Sequence, residues 1–428
     1  MLRRATAMTE PLPRPRTRVL VVEPLSSGSQ LIVEARALGF ELVVASYDRD
    51  DRRVADALRE HIDELLVVDT NDEFALHEAV AERHRERPFA GIVPGFEFYV
   101  GTAARLAARL GLPGLPVDSV EALRDKAVMR DRAKAAGLRV PRYAEAAEAH
   151  ELADAAARVG FPAVLKPTRS AGSVHVTRVE TADELRGAYE RLRGDTRLDM
   201  GRDLAGPVLL EEYVAGPEVS VEGYVLDGQV TIVSVTSKLL GPEPYFVEVG
   251  MVVQHELEPP VRAAVEAYVT DVCRALGLTL GPFHCELRIP GGEPVLIEIG
   301  ARLAGLCIPQ LVEIVTGVSL ARVMLAAFAG LDPYAAGVFS APRAKCAAVH
   351  CFSTEHGDGL PSFKGLSGLD ALRSAEDVVE VSLYYPEGSE VPPAEDFRCL
   401  LGHVVFQAES YAGALARREE IAGTVRPL

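Results

Sequence analysis

Apolar and polar positions alternate along this chain in short blocks separated by turn formers. Residues 18–24, RVLVVEP, form an apolar run that stops at a turn of Ser26, Ser27, Gly28 and Ser29. Residues 31–38 then place apolar side chains at helical spacing, and residues 41–46 return to a continuous apolar strand, which makes a β-α-β opening. Further strands at 64–68 and 91–94, with helices between them, make residues 17–112 a small parallel α/β domain. The SSGS turn lacks the GxGxxG spacing and reads as simple chain reversal rather than a dinucleotide loop.

Residues 116–137, PVDSVEALRDKAVMRDRAKAAG, predict a helical stretch with Asp118 or Ser119 as cap and Gly137 as stop. Beyond it the period changes from helical to alternating. Strands are expected at 163–166, 174–179, 208–213, 218–226, 229–237, 283–289 and 295–299, and their close spacing implies antiparallel sheets. A separate C-terminal module is expected from about residue 331, with strands near 346–353 and 379–385 and a last helix from Ser410. No internal repeat stands out.

A length of 428 residues predicts two to four domains, and 48% hydrophobic with 25% charged residues is a globular composition. No apolar run reaches the roughly 18 residues of a membrane helix. Residues 1–16 mix Arg and Pro without an apolar stretch, so they read as a disordered leader rather than a secretory signal. The six cysteines form no CxxC pair, which argues for reduced core thiols and a cytoplasmic setting. A net charge of −17 disfavours a polyanionic partner such as nucleic acid. Only six of the 45 basic residues are Lys, so each Lys position is informative.

Three segments carry candidate chemistry. In PFHCELRIPGGEPVLIEIGARLAG, a hairpin centred on Gly292 sets Glu286 opposite Glu298, His284 opposite Gly300 and Arg288 opposite Leu296, on one face with Arg302. The other face collects Phe283, Cys285, Leu287, Ile289, Val295, Ile297 and Ile299 for the core. Two opposed carboxylates about 5 Å apart repel, and a cation between them removes the penalty. Hard oxygen ligands suit Mg²⁺, with His284 outside the ligand set. A solvated polar face is the alternative. In FPAVLKPTRSAGSVHV, a strand ends in Lys166 before a loop of small residues, which makes either a phosphate cover or a surface hairpin. In VLLEEYVAGPEVSVEGYV, Glu211 and Glu218 flank a connection that could meet a purine and a ribose, or is an acidic turn.

In this order the segments resemble the ATP-grasp superfamily over roughly residues 17–425, most specifically over 116–305 and closest to the carboxylate–amine ligase branch that holds the L-amino acid ligases. The resemblance implies an α/β and α+β architecture. A disordered leader spans 1–16, a Rossmann-like pre-ATP-grasp domain 17–112 and an ATP-grasp domain 113–330. Within the last, a phosphate-loop subdomain covers about 141–214 and a metal-site subdomain about 215–330. A lid-like C-terminal module covers 331–428.

The resemblance further implies that Lys126 and Lys166 hold ATP phosphates under a loop containing Ser170, Gly172 and Ser173. Glu211 would accept from the adenine amino group, the backbone of Glu212, Tyr213 and Val214 would read the ring edge, and Glu218 would bind the ribose. Glu286 and Glu298 would hold one or two Mg²⁺ ions, with Mn²⁺ as a substitute. Arg302 and Lys166 would be catalytic, and Lys238, Glu248, Arg302 and Leu306 would meet the substrate. Gly300 stands where the family commonly has a ligating Asn, and Arg169 and His175 stand where its loop is commonly smaller.

The implied reaction is ATP-dependent joining of a carboxylate to an amine through an acyl phosphate, releasing ADP and phosphate. A bicarbonate-activating carboxylase and a non-catalytic nucleotide-binding regulator are the alternatives. Expected partners are small-molecule carboxylates and amines, amino acids among them, with no nucleic acid and no membrane. A homodimer is the candidate assembly.

Overall fold

A computed structural model describes residues 16–254, 256–334, 337–354 and 359–428. The expected leader lies outside these apart from Arg16, which is tied into the fold by hydrogen bonds to Gly39 O at 3.2 Å and Asp63 Oδ1 at 2.8 Å. Strands β1 (Arg18–Val22), β2 (Glu41–Ser46), β3 (Glu64–Val67) and β4 (Gly91–Pro94) form a parallel sheet in the order β3-β2-β1-β4. Every residue of β1 is buried, as expected of a strand covered on both faces. The SSGS turn is one turn of 3₁₀ helix, and Gly28 has a reason to be glycine: a Cβ there would lie 1.7 Å from Gly95 O.

The expected continuous helix over 116–137 is two pieces, Val117–Val120 and Lys126–Ala135. The longer one is capped by Asp125, whose carboxylate accepts from Ala127 N and Val128 N. That cap fixes Lys126 as the first helical residue. A second sheet follows, of β5 (Tyr143–Ala146), β6 (Ala163–Pro167), β7 (Thr177–Val179) and β8 (Val208–Glu212), antiparallel in the order β5-β8-β6-β7. Its core is closed by Leu185, Ala188, Tyr189 and Leu192 of the helix Ala182–Gly194.

The third sheet has eight strands: β9 (Glu218–Leu226), β10 (Gln229–Leu240), β11 (Glu248–Val253), β12 (Gly281–Arg288), β13 (Val295–Gly300), β14 (Cys346–Ser353), β15 (Val378–Leu383) and β16 (Leu400–Ala408). They run in the order β13-β12-β9-β10-β11-β14-β16-β15. The residues from 331 onward therefore build no sheet of their own: β14 pairs with β11 from Gly250↔His350 to Val253↔Ala347. An edge strand as apolar as β11 leaves main-chain groups that another strand must satisfy. The helix Tyr411–Thr424, capped by Ser410, covers the far side of β14 and β16. Among the described residues no helix is long and apolar enough to cross a membrane, and the six cysteines are free.

Candidate active site

The hairpin of β12 and β13 places Glu286 opposite Glu298 and His284 opposite Gly300. A bulge after Glu286 then shifts the register, so Arg288 meets Val295 rather than Leu296. The one-residue slip changes which side chains face the core: Leu296 is fully buried within it, and Ile297 moves to the wall of the cavity.

A cavity of about 670 Å³ lies where the three sheets converge, and every residue singled out from the sequence lines it: Lys126, Lys166, Ser170, Gly172, Ser173, Glu211, Glu212, Tyr213, Val214, Glu218, Lys238, Glu248, Glu286, Glu298, Arg302 and Leu306. Their charges are already paired. Lys126 Nζ is 3.0 Å from Glu298 Oε1 and donates to Ser170 O at 3.2 Å. Lys166 Nζ is 2.5 Å from Glu211 Oε2, while Arg130 Nε donates to Glu211 Oε1 at 2.6 Å. Burial would raise the Glu211 carboxyl, but Arg130 and Lys166 outweigh it and keep it ionised.

These pairings show what the expected site residues hold within the protein. Glu211 has both oxygens against internal cations, and Glu218 likewise meets Lys238 at 3.1 Å and Arg288 at 2.9 Å. Each is first an anchor for cations and could meet a nucleotide only with its remaining lone pairs. The backbone edge is partly spent too, since Glu212 N donates to Arg142 O and Tyr213 N to Pro162 O. Lys238 is held by carboxylates of the site itself. Its three donors reach Glu248 at 2.6 Å, Glu286 at 2.8 Å and Glu218 at 3.1 Å, which uses the whole capacity of an ammonium. Burial opposes the charge, but the three carboxylates hold Lys238 well above its ordinary value and Lys238 holds Glu286 well below its own.

His284 bridges Glu222 and Glu286 with both ring nitrogens at 3.0 Å, which leaves it outside any ligand set. Ser220, Ser234 and Thr236 hold Glu222 in turn. Among the described residues no group of three or more His, Cys, Asp or Glu side chains converges as a metal cage. Glu286 and Glu298, the opposed pair expected to hold a divalent ion, are engaged by Lys238 and His284 and by Lys126 respectively.

Three residues absent from the sequence reading shape the site. Arg130 is fully buried and joins Glu211 to Ile297 O at 2.5 Å. Asp199, in an irregular segment, lines the cavity with its carboxyl pushed up to about 6 by burial and by Asp51. Glu97, from the first sheet's loops, accepts from Arg302 Nε at 2.6 Å and pairs with Arg124. Gly300 is the partner of that arrangement: a Cβ there would stand 2.8 Å from Glu97 Oε2 and 3.3 Å from Arg302 Cγ. The space a side chain at 300 would fill belongs to the Glu97–Arg302 pair. The expected loop is tethered, with Arg169 Nε on Asp125 at 2.8 Å, His175 Nε2 on Asp195 at 2.9 Å, and Gly172 so close to Phe397 that a Cβ would meet its ring at 2.5 Å.

Glu97 gives a pH prediction. Burial would raise its carboxyl, but Arg124 and Arg302 pull it from 4.5 to about 2. A carboxyl lowered on folding stabilises the fold above its unfolded value, and that contribution is lost as pH falls from 4.5 towards 2. A shift of this size corresponds to about 3 kcal/mol. In denaturant titrations between pH 5 and pH 2, wild type should lose about that much more stability than Glu97→Gln. Equal losses in the two proteins would show that Glu97 is not held ionised.

Three family models match the chain: an ATP-grasp N-terminal domain over residues 32–114, an ATP-grasp domain over 159–310 and an L-amino acid ligase C-terminal domain 2 over 362–427. An uncharacterized protein, y4rH of Sinorhizobium fredii, is 30% identical over 351 residues, 82% of this chain and 70% of that protein. Dapdiamide A synthase of Enterobacter agglomerans is 28% identical over 302 residues, 69% of each. The crystal structure of an L-amino acid ligase from Bacillus licheniformis superposes with a TM-score of 0.83 at 23% identity, over 97% of this chain and 99% of that one.

Proposed function

The chain belongs to the ATP-grasp superfamily, on its carboxylate–amine ligase branch, and from that premise we propose that it joins the carboxylate of one amino acid to the amino group of a second small molecule. ATP is the phosphoryl donor, and ADP and phosphate are released. The observation that carries this reading is the convergence in one cavity of Lys126, Lys166 and Arg302 with the opposed pair Glu286 and Glu298. A cavity of about 670 Å³ is of the size that encloses a nucleotide-scale ligand.

The charge balance argues for a divalent ion. Lys126, Lys166, Lys238 and Arg302 are each matched by a carboxylate already. A triphosphate brings negative charge that these cations do not neutralise alone. Glu286 and Glu298 would hold Mg²⁺, whose chemistry is to neutralise and align phosphate oxygens. In this reading residues 17–112, 113–330 and 331–428 are the working parts, the last lending Tyr384 and Phe397 to the cavity wall.

Phosphoryl transfer needs positioning and electrostatics rather than covalent help. A substrate carboxylate oxygen forms a bond to the γ-phosphorus as the bond to the β-phosphate oxygen breaks and ADP leaves. The neutral amine nitrogen then bonds to the acyl carbon and gives up a proton, and phosphate departs with the oxygen it gained. Lys126 and Lys166 bind phosphate oxygens, and their carboxylate partners hold them in place between turnovers. Arg302 commits Nε to Glu97 and Nη1 to Leu303 O, which leaves Nη2 among the described residues for the acyl phosphate. Leu306 borders the acid pocket. The loop over Ser170, Gly172 and Ser173 keeps water from the acyl phosphate.

Two measurements test this. Lys166→Ala should raise the KM for ATP by about tenfold or more, the scale of a charge-assisted contact, with a smaller change in kcat; an unchanged KM would remove Lys166 from the phosphate site. Pairs of amino acids screened for ADP release should give turnover only when a carboxylate donor and an amine are both present. ADP release that ignores the amine would overturn the ligase reading.

A further inference from the structure

We propose that a second cavity, lined by His350 of β14 and by Arg418 and Arg426 of the C-terminal segment, binds a small monoanionic organic acid with an apolar body. This cavity, of about 400 Å³, shares no lining residue with the first. Its Phe352, Leu366 and Val425 walls belong to the far face of the eight-stranded sheet, whereas Val247, Val249 and Cys351 reach it from the main core. In β14, Val349 and Cys351 point into the main core, whereas Ala348 and Phe352 pack beneath the helix Tyr411–Thr424, and His350 alternates with the latter pair.

The cavity holds a buried cationic donor with nothing to donate to, Arg418 Nε, beside a buried imidazole. His350 is 7% exposed, and its Nδ1 has no hydrogen-bond partner. Arg418 Nε is likewise buried without one, and no carboxylate among the described residues pairs with Arg418. Orphaned buried donors are costly and uncommon. Elsewhere in this protein buried cations are answered by carboxylates, as Lys166 and Lys238 show. Arg418 is also seated deliberately: Gly250 leaves room for it, since a Cβ there would stand 3.0 Å from Arg418 Nε. Burial, and then the charge of Arg418, push His350 down to about 4, and burial lowers Arg418 as well. An anion beside Arg418 answers its charge and favours the protonated form of His350.

The rest of the lining selects the class of anion. Val247, Val249, Phe352, Leu366 and Val425 are apolar walls, which suit a hydrocarbon body and give a bare phosphate few donors. A carboxylate offers two oxygens to one guanidinium and one imidazole. The cavity also borders the active site at the start of β11, because Val249 and the preceding Val247 line it while Glu248 between them holds Lys238.

Titration calorimetry of the full chain with propanoate, hexanoate and 3-phenylpropanoate should show binding that tightens with the apolar body. The neutral 3-phenylpropanamide should bind at least about tenfold more weakly, as should the acids on Arg418→Met, because a charge-assisted hydrogen bond is lost. Arg302→Met should keep this binding. Arg418→Met should unfold no earlier than wild type, and His350→Phe, which keeps the ring volume, repeats the loss if it does unfold early. No binding by any of the three acids at millimolar concentration would overturn the proposal. So would loss on Arg302→Met alone, or inorganic phosphate binding as tightly as 3-phenylpropanoate.

Discussion

Replacing Glu298 by Gln is expected to lower turnover by about a thousandfold while leaving the fold nearly intact. Glu298 faces Glu286 across the β12–β13 ladder, and the two are the carboxylates proposed to hold a divalent ion in the cavity. An amide of the same shape keeps the packing but removes the charge that the ion needs. The structural cost is small because Glu298 is 25% exposed in its side chain and makes a single ion pair, with Lys126. Lys126 is buried and keeps its bond to Ser170 O, and the Gln amide oxygen can still accept from it. The check is steady-state turnover across a Mg²⁺ titration together with the thermal midpoint. Activity like that of wild type would remove the metal assignment.

Arg302→Lys is expected to lower kcat by on the order of a hundredfold, with ATP affinity and stability kept. The substitution retains a positive charge beside Glu97, so no buried carboxylate is left without a cation. What it loses is the planar fork. Arg302 reaches Glu97 and Leu303 O while keeping a further N–H pair for an incoming oxygen, and an ammonium cannot hold three such directions in one plane. The readout is the split between constants: kcat falls and the KM for ATP does not move. A normal kcat would make Arg302 a strut between β13 and Glu97, and the acyl-phosphate site would have to lie elsewhere in the cavity.

The hairpin at 281–300 was readable because alternation and a tight turn fix register locally, and both Glu286↔Glu298 and His284↔Gly300 stand as read. The bulge beyond Glu286 was not readable, since one extra residue leaves no mark in the pattern and yet moves Leu296 into the core. Partnerships across the fold were hidden for a different reason. Glu97 meets Arg302 across 205 positions and Arg130 meets Glu211 across 81, and only the convergence of three sheets creates those contacts. Lys238 was visible as an uncommon Lys, but its role follows from three carboxylates on three other strands. Strands β11 and β16 escaped because Gly250 and Gly402 interrupt their apolar runs; they sit in the interior of the eight-stranded sheet, where both faces are covered. The same burial draws β14, β15 and β16, all beyond residue 331, into the central sheet.

The central claim is that a substrate carboxylate is phosphorylated and then displaced by an amine. Its most direct test is the fate of the carboxylate oxygen. With an amino acid labelled with ¹⁸O in its carboxylate, an amine and ATP, the released phosphate should carry one ¹⁸O atom, and ADP should form only when acid and amine are both present. Unlabelled phosphate, release of AMP with pyrophosphate, or ADP formation driven by bicarbonate without the acid would contradict the account.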